Sequence, residues 1–338
     1  MASVNVTRTV VVLNTGAYNP IILDIFLVLN GLIISELIGI LGIFGNIVNV
    51  LNFRRQGLHD SVTITLTALS VSDCGALVCQ QVMTLLSVPW VPKIGLPLIT
   101  SSTVMQLQGY FIRVSGVVTA FASFERCLCV VMPLKVRAII TVRVSMCVNV
   151  TIFLVLQLHT LPHLLANYVD YKFIPQLNQT ILYLFYRDNG EAILQVSYYV
   201  TDLCVPYATF VVIISCTSVT VLTLKAKSNW RSSVTLKGSG APTSASLKER
   251  KLVQMLAVVS VIFVVCLAPQ SAMLTAVGVV RDLRVGGAKF DISMLCYCFT
   301  LLLETIHCSI NSIVYYKMSS RYREEIWVMF PFLQKSKK

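Results

Sequence analysis

Seven apolar runs, each at least as long as the ~20 residues that a helix needs to cross ~30 Å of bilayer hydrocarbon, constrain what this chain can fold into. A mean hydropathy of +0.76 and a hydrophobic content of 56% are too high for a soluble domain of 338 residues. The sequence therefore predicts an all-α membrane protein, a seven-transmembrane helix bundle. The runs lie at residues 26–53, 61–89, 98–131, 139–163, 193–224, 251–280 and 291–316.

A shorter amphipathic segment follows the last run. The stretch KMSSRYREEIWVMFPF places Tyr322, Ile326 and Met329 on one helical face, with Arg321 and Glu325 elsewhere. This pattern is typical of a short helix that lies on the membrane surface. We therefore expect three parts: an amino-terminal tail at 1–25, a transmembrane domain at 26–316, and a surface helix and tail at 317–338.

Basic residues predict the orientation of the spans. Segments 54–60, 133–143, 225–251 and 317–338 carry 18 Lys and Arg, whereas the opposite loops and the amino-terminal tail carry 7. The positive-inside rule places the carboxyl terminus in the cytoplasm and the amino terminus outside the cell. Glycosylation sequons at Asn5 and Asn178 fall on the predicted outer side. The polar start lacks the features of a signal peptide, so we expect the first span to target a plasma-membrane protein.

Several function classes are not favoured. The net charge of +12 lies in short segments between the spans, where topology accounts for it, so we expect no nucleic-acid partner. The eleven cysteines show no paired metal-ligand spacing and nearly all fall inside apolar runs. No nucleophile, base or metal set converges at one depth. We therefore expect neither an enzyme nor a cofactor.

Short motifs occur in a fixed order along the spans. They are Gly45-Asn46, Leu69-Ser-Val-Ser-Asp73, Glu125-Arg126-Cys127 with Pro133-Leu134, Pro206, Cys266-Leu-Ala-Pro269 and Asn311-Ser-Ile-Val-Tyr315. Over nearly its whole length the chain thus resembles a rhodopsin-like (class A) G-protein-coupled receptor. The segment FERCLCVVMPLKVRAIIT is also similar to molluscan chemosensory receptors of that class. The resemblance implies an extracellular ligand, a heterotrimeric G protein, arrestin and receptor kinases as partners, beside membrane lipid.

The chain departs from the family pattern in ways that bear on activation. Ser101 stands where the family has a cysteine at the top of the third helix, and the loop 164–191 has no cysteine to pair with it. We therefore expect a looser outer lid. Leu267 replaces the sixth-helix Trp, and Ser312 replaces the Pro of NPxxY.

The resemblance assigns a cytoplasmic switch. Arg126 matches the arginine that the family pairs with acids at rest, Glu125 matches the adjacent acid, and Glu249 matches the acid at the start of the sixth helix. We expect Arg126 to bridge both carboxylates in a half-dry crevice, in a closed state that a ligand biases by a few kcal/mol. Asn311 and Tyr315 would supply the rearrangement of the seventh helix.

A buried polar network is expected at mid-membrane, where polar groups need partners. Asp73 matches the acid around which the family holds a sodium ion or water, and Asn46 and Ser115 match nearby polar positions. His307 and Cys308 replace the usual polar residues of the seventh helix. We therefore expect water rather than sodium at Asp73, and no metal.

Charged residues in the outer half of the bundle are the ligand candidates. Arg113 precedes Arg126 by thirteen residues, or about 20 Å of helix at 1.5 Å per residue. An intramembrane arginine either pairs internally or binds a ligand, and both interpretations remain open for Arg113 and Asp202. Glu304, with His307 one turn below it, and Gln108 complete the set. Gln108 stands where amine receptors carry aspartate, which disfavours a monoamine.

The favoured interpretation is a chemosensory receptor for a small polar or amphipathic ligand. A neuropeptide receptor of the same class is the nearest alternative, although such a receptor would be expected to hold its outer loop open with a disulfide. A transporter or ligand-gated channel is the alternative of another class. Retinal is excluded on chemical grounds because the seventh span has no lysine between Lys289 and Lys317.

Overall fold

The architecture follows from the apolar runs. The computed structural model describes residues 28–87, 96–132, 135–136, 139–175, 178–235, 244–284 and 287–331, without the side chains of 31, 32, 87, 228–235 and 244–253. Within these ranges, seven helical segments are long and apolar enough to cross a membrane. The first to seventh spans are Ser35–Gln56, Ser61–Leu86, Leu96–Val131, Val142–Ala166, Gly190–Lys227, Gln254–Val279 and Phe290–Met318. The predicted seven-transmembrane helix bundle is confirmed.

The helices that build the spans are not all regular. The α-helices are Ser35–Gln56, Ser61–Ser87, Leu96–Val131, Val142–Gln157, Leu161–Ala166, Gly190–Ser197, Val205–Thr235, Ser244–Val279, Phe290–Met318 and Ser320–Met329. Seven-residue π-helical segments lie at Val28–Ile34 and Tyr198–Cys204, and 3₁₀ turns lie at Leu158–Thr160 and Arg281–Leu283. The sixth-span helix begins before its apolar run because SASLKERK is rich in residues of high helix propensity.

A β-hairpin in the loop after the fourth span is an addition that the sequence did not predict. Strands β1 (Asn167–Ile174) and β2 (Gln179–Tyr186) pair antiparallel, from Asn167 opposite Tyr186 to Ile174 opposite Gln179. Tyr168 stacks on its partner Phe185, with ring centroids 5.4 Å apart. At the turn, Asn178 has a φ of 49°, a left-handed conformation that asparagine tolerates better than most residues.

The two ends of the bundle are named here by what lies at them. The hairpin end carries β1 and β2, and the tail-helix end carries Ser320–Met329, which we call the tail helix. Ser319 caps the start of the tail helix, since its hydroxyl accepts a hydrogen bond from the backbone N–H of Tyr322 at 3.2 Å. Tyr322 and Ile326 are buried, so one face packs on the bundle as the amphipathic pattern predicts.

The core lies between the spans, toward the tail-helix end. Phe53, Tyr315 and Tyr322 form an aromatic group with ring centroids 5.5 to 5.9 Å apart. Larger residues at two glycines would separate the helices, because a Cβ at Gly42 would collide with Ser309 and one at Gly45 with Ser312. Close approach of the first and seventh spans therefore explains the Gly-Asn motif. Other core residues are Val48, Leu66, Leu69, Val114, Val118, Met255, Leu256 and Val259.

Candidate functional site

A cavity of about 600 Å³ opens between the spans at the hairpin end. Four of the five predicted ligand residues line it, namely Gln108, Arg113, Asp202 and Glu304. His307 does not line the cavity. Its ring packs edge-on against Phe263, which does, with centroids 5.1 Å apart. The sequence therefore grouped these residues correctly by depth, and the helix bundle brings four of them to one space.

Arg113 forms an ion pair across this cavity. Its Nη1 donates to Oδ1 of Asp202 at 2.6 Å, and the exposed fractions of the two side chains are 10% and 27%. Asp202 lies in the π-helical segment Tyr198–Cys204, and its second oxygen accepts from the Thr201 hydroxyl at 3.2 Å. The internal pair, one of the two interpretations that the sequence leaves open, is therefore present.

Two histidines of the fourth span join the ion pair, and neither was predicted. Nη2 of Arg113 contacts Nε2 of His159, which is buried at the 3₁₀ turn. The ring of His163 lies 5.8 Å from that of His159, and His163 lines the cavity. Single histidines in an apolar run carry a weak signal, although their four-residue spacing places them on one helical face beside the polar cluster.

Glu304 is a buried acid of the cavity, in contrast to Glu191, which also lines the cavity but is exposed. It is 7% exposed and is hydrogen-bonded to Gln108, which itself donates to Oε1 of Gln80 at 2.6 Å. Within the described part of the chain, Glu304 forms no ion pair, and Arg113 acts on it only by longer-range attraction. Its carboxylate is therefore available to a ligand.

The predicted buried polar network is assembled in the middle of the bundle. Asp73 accepts from Ser115 at 2.6 Å on Oδ1 and from Asn311 at 2.7 Å on Oδ2. Asn46 donates to the backbone carbonyls of Gly42 at 3.0 Å and of Cys308 at 2.8 Å. All of the network's side chains are almost fully buried. Hydrogen bonds thus join the first and second spans to the seventh, and the second to the third.

At the tail-helix end, Glu125 is bound by a different partner from the one expected. Its Oε1 accepts from the Ser61 hydroxyl of the second span. Among the described side chains, no ion pair joins Glu125 to Arg126, and Nε of Arg126 has no hydrogen-bond partner. The expected bridge to Glu125 is therefore corrected. Adjacent residues of a helix do not face each other, so Glu125 binds Ser61 of the second span and not Arg126, although both residues line the same crevice.

That crevice has a volume of about 960 Å³, and Arg126, Glu125 and Tyr315 line it. Asn311 does not line the crevice and instead donates a hydrogen bond to Asp73. The side chain of Glu249 lies outside the described residues, so its predicted contact with Arg126 stays a prediction. Asn5 also lies outside the described residues, whereas Asn178 is exposed at the hairpin turn.

A family model described as 7 transmembrane receptor (rhodopsin family) matches residues 45–315, which is most of the chain and all but the ends of the bundle. No match was found among curated proteins.

Proposed function

Because the chain belongs to the rhodopsin family of seven-transmembrane receptors, we propose that it is a chemosensory receptor. In this proposal a small polar or amphipathic ligand binds in the hairpin-end cavity. The crevice at the tail-helix end then admits a heterotrimeric G protein. The single observation that carries the proposal is a cavity lined by charged residues at one end of the bundle and a crevice around Arg126 at the other.

Family membership by itself supports the coarser statements. The chain is a multi-pass membrane protein, and its family signals through G proteins in response to extracellular ligands. Receptors of this family are generally not enzymes. The finer placement, in the plasma membrane with the hairpin end outside the cell, is part of the proposal. It is supported by the 18 Lys and Arg residues of the opposite segments against 7 on the hairpin side and amino-terminal tail.

The size and chemistry of the cavity favour a small ligand over a peptide. Its volume falls within the ~300–1,000 Å³ that small-molecule sites occupy. Arg113 is largely engaged by Asp202, so Glu304 is the stronger charged anchor for an incoming group. Gln270, which also lines the cavity, has a buried Oε1 without a hydrogen-bond partner among the described residues. Both groups accept hydrogen bonds, which suits a ligand that carries donors on an apolar frame.

Polar side chains recur along one face of the seventh span between the cavity and the crevice. Glu304, His307, Asn311 and Tyr315 follow one another along the seventh span at three- and four-residue spacing, on one face. A ligand that displaces Glu304 would act on Asn311, which Asp73 binds, and then on Tyr315 in the crevice. In the proposal, arrestin and receptor kinases use the same crevice end, and lipid contacts the tail helix.

A ligand screen with a coupling-deficient partner tests this function. Cells would express the wild type and Arg126→Ala at matched surface levels, and a library of small polar compounds would be scored by cAMP, calcium and inositol phosphate. We expect at least one compound to activate the wild type and the Arg126→Ala response to fall to background. Glu304→Gln should then lower the potency of that compound, whereas the buried control Cys79→Ser should not.

Two results would contradict the proposal. Undiminished nucleotide exchange by Arg126→Ala would remove the switch, and ligand-gated current in cells that lack G proteins would favour a channel. Glu249→Ala tests the predicted contact between Glu249 and Arg126. Loss of this resting contact should raise ligand-independent signalling at equal surface expression.

A further inference from the structure

Three side chains with different metal-binding atoms meet in the middle of the bundle. They are Asp73 of the second span and His307 and Cys308 of the seventh. Their carboxylate oxygen, ring nitrogen and Sγ lie within 4.8 Å of one another, and all three residues are buried. This is the only such group of His, Cys, Asp and Glu residues within the part of the chain that the structure describes.

His307 is the residue that most needs an explanation. It is 0% exposed, yet neither ring nitrogen has a hydrogen-bond partner among the described residues. A buried polar group left without a partner costs about 1–3 kcal/mol, so such groups are uncommon unless they bind something. The ring contact recorded for His307 among the described residues is the edge contact with Phe263, which satisfies neither nitrogen.

Asp73 and Cys308, the other two members of the group, are held beside His307 by hydrogen bonds. Ser115 and Asn311 each donate to one oxygen of Asp73, which fixes the carboxylate plane as outer contacts of metal ligands do. A carboxylate has about four lone-pair positions, so oxygen sites remain for a cation. The Cys308 thiol is itself hydrogen-bonded to Asp73, which places sulfur beside those oxygens.

We propose that Asp73, His307 and Cys308 form a binding site for a zinc ion. Sodium prefers oxygen ligands alone, whereas zinc accepts carboxylate, imidazole and thiolate, commonly as three protein ligands and one water. Binding breaks the S–H bond of Cys308, forms a Zn–S bond and releases the proton to water. Carboxylate and thiolate then neutralise the two charges of Zn²⁺, which removes the main cost of a cation at bilayer depth.

The hairpin-end cavity comes close to this site. Phe263 and Glu304 both line the cavity, and His307 follows Glu304 by one helical turn behind the Phe263 ring. A bound zinc ion would join the second and seventh spans directly, in addition to the hydrogen bond between Asp73 and Asn311. The site is independent of any ligand or G protein, so it stands or fails separately from the proposed function.

Cobalt substitution tests the site. The purified full-length receptor in detergent would be stripped with a chelator, dialysed and titrated with Co²⁺, which gives a thiolate-to-cobalt charge-transfer band when sulfur is a ligand. We expect the wild type to show the band, Zn²⁺ to abolish it by displacement, and excess Na⁺ to leave it unchanged. Cys308→Ser should lose it, and His307→Gln should weaken Co²⁺ binding more than about tenfold.

The matched control is Cys79→Ser, a buried cysteine of the second span outside the group, which should retain the band. Helical circular dichroism and a monodisperse elution profile establish that each variant is folded. Zn²⁺ should also raise the melting temperature of the wild type but not of Cys308→Ser. A wild type without the band, or a Cys308→Ser variant that keeps it, overturns the proposal.

Discussion

Two arginines thirteen residues apart on the third span meet opposite conditions. Arg113, at the hairpin end, is 10% exposed, forms an ion pair of 2.6 Å with Asp202 and contacts His159. Arg126, at the tail-helix end, lines the crevice, and its Nε has no hydrogen-bond partner among the described side chains. The same residue type on one helix is thus ion-paired in one place and, among the described side chains, forms no ion pair in the other.

Depth accounts for the difference. An arginine that is only 10% exposed has little water to solvate it, so it must keep a partner, and removal of that partner leaves a largely buried charge. An arginine in a crevice at the membrane boundary can exchange protein contacts for water at small cost. Arg113 is therefore suited to hold the bundle together, and Arg126 is suited to change partners, as a switch must.

The largest effect is expected at the buried arginine. Asp202→Ala should lower the free energy of unfolding by about 2–3 kcal/mol, somewhat below the range for a fully buried pair because Asp202 is 27% exposed. Denaturant titration in micelles measures the change. Arg113→Leu with Asp202→Leu should recover most of the loss, because no charge is then left unpaired. A stable single variant would show that His159 alone can hold Arg113.

Local patterns predicted much of this comparison. Hydropathy located all seven spans, and motif order placed Arg113, Asp202 and Glu304 near one depth. Whether Arg113 pairs with Asp202 or stays free for a ligand could not be predicted, because the answer depends on how the two helices are rotated about their axes. His159 and Ser61 were missed for the same reason, and the hairpin was missed because strand pairing joins residues that are distant in sequence.

The next largest effect is expected at the hydrogen bond between Ser61 and Glu125, which is present where an ion pair between Arg126 and Glu125 was expected. Ser61→Ala should cost about 2 kcal/mol, since it removes a donor to the buried carboxylate of Glu125. Arg126→Ala should change stability by less than about 0.5 kcal/mol, because a contact with Glu249 at the membrane boundary would be a solvent-screened pair that contributes little. The exposed Thr103→Ala serves as control. If Arg126→Ala is the more destabilising variant, Arg126 has a fixed partner and the contrast between the two arginines fails.

A neutral contact at the tail-helix end should matter less. The Tyr322 hydroxyl donates to Oδ1 of Asn49 at 2.5 Å, so Tyr322→Phe should cost about 1 kcal/mol, whereas Tyr171→Phe on the exposed hairpin should cost nothing measurable. Burial also raises the pKa of Tyr322 above its ordinary value of 10.0. The stability that its neutral phenol supplies is complete below that value and is lost as the pH rises through the raised pKa. Tyr322→Phe should therefore be less sensitive to alkaline pH than the wild type.

The smallest effect is expected at the exposed ion pair of the tail-helix end. Nε of Arg55 lies 3.8 Å from Oε2 of Glu325, and the side chains are 52% and 31% exposed. Water and salt screen such a pair, so Arg55→Ala should lower the free energy of unfolding by no more than about 0.5 kcal/mol, and 1 M salt should abolish even that difference. The same salt should leave the cost of Asp202→Ala nearly unchanged. Equal salt sensitivity of the two pairs would mean that Arg113 is solvated, and depth would no longer distinguish the two ends of the bundle.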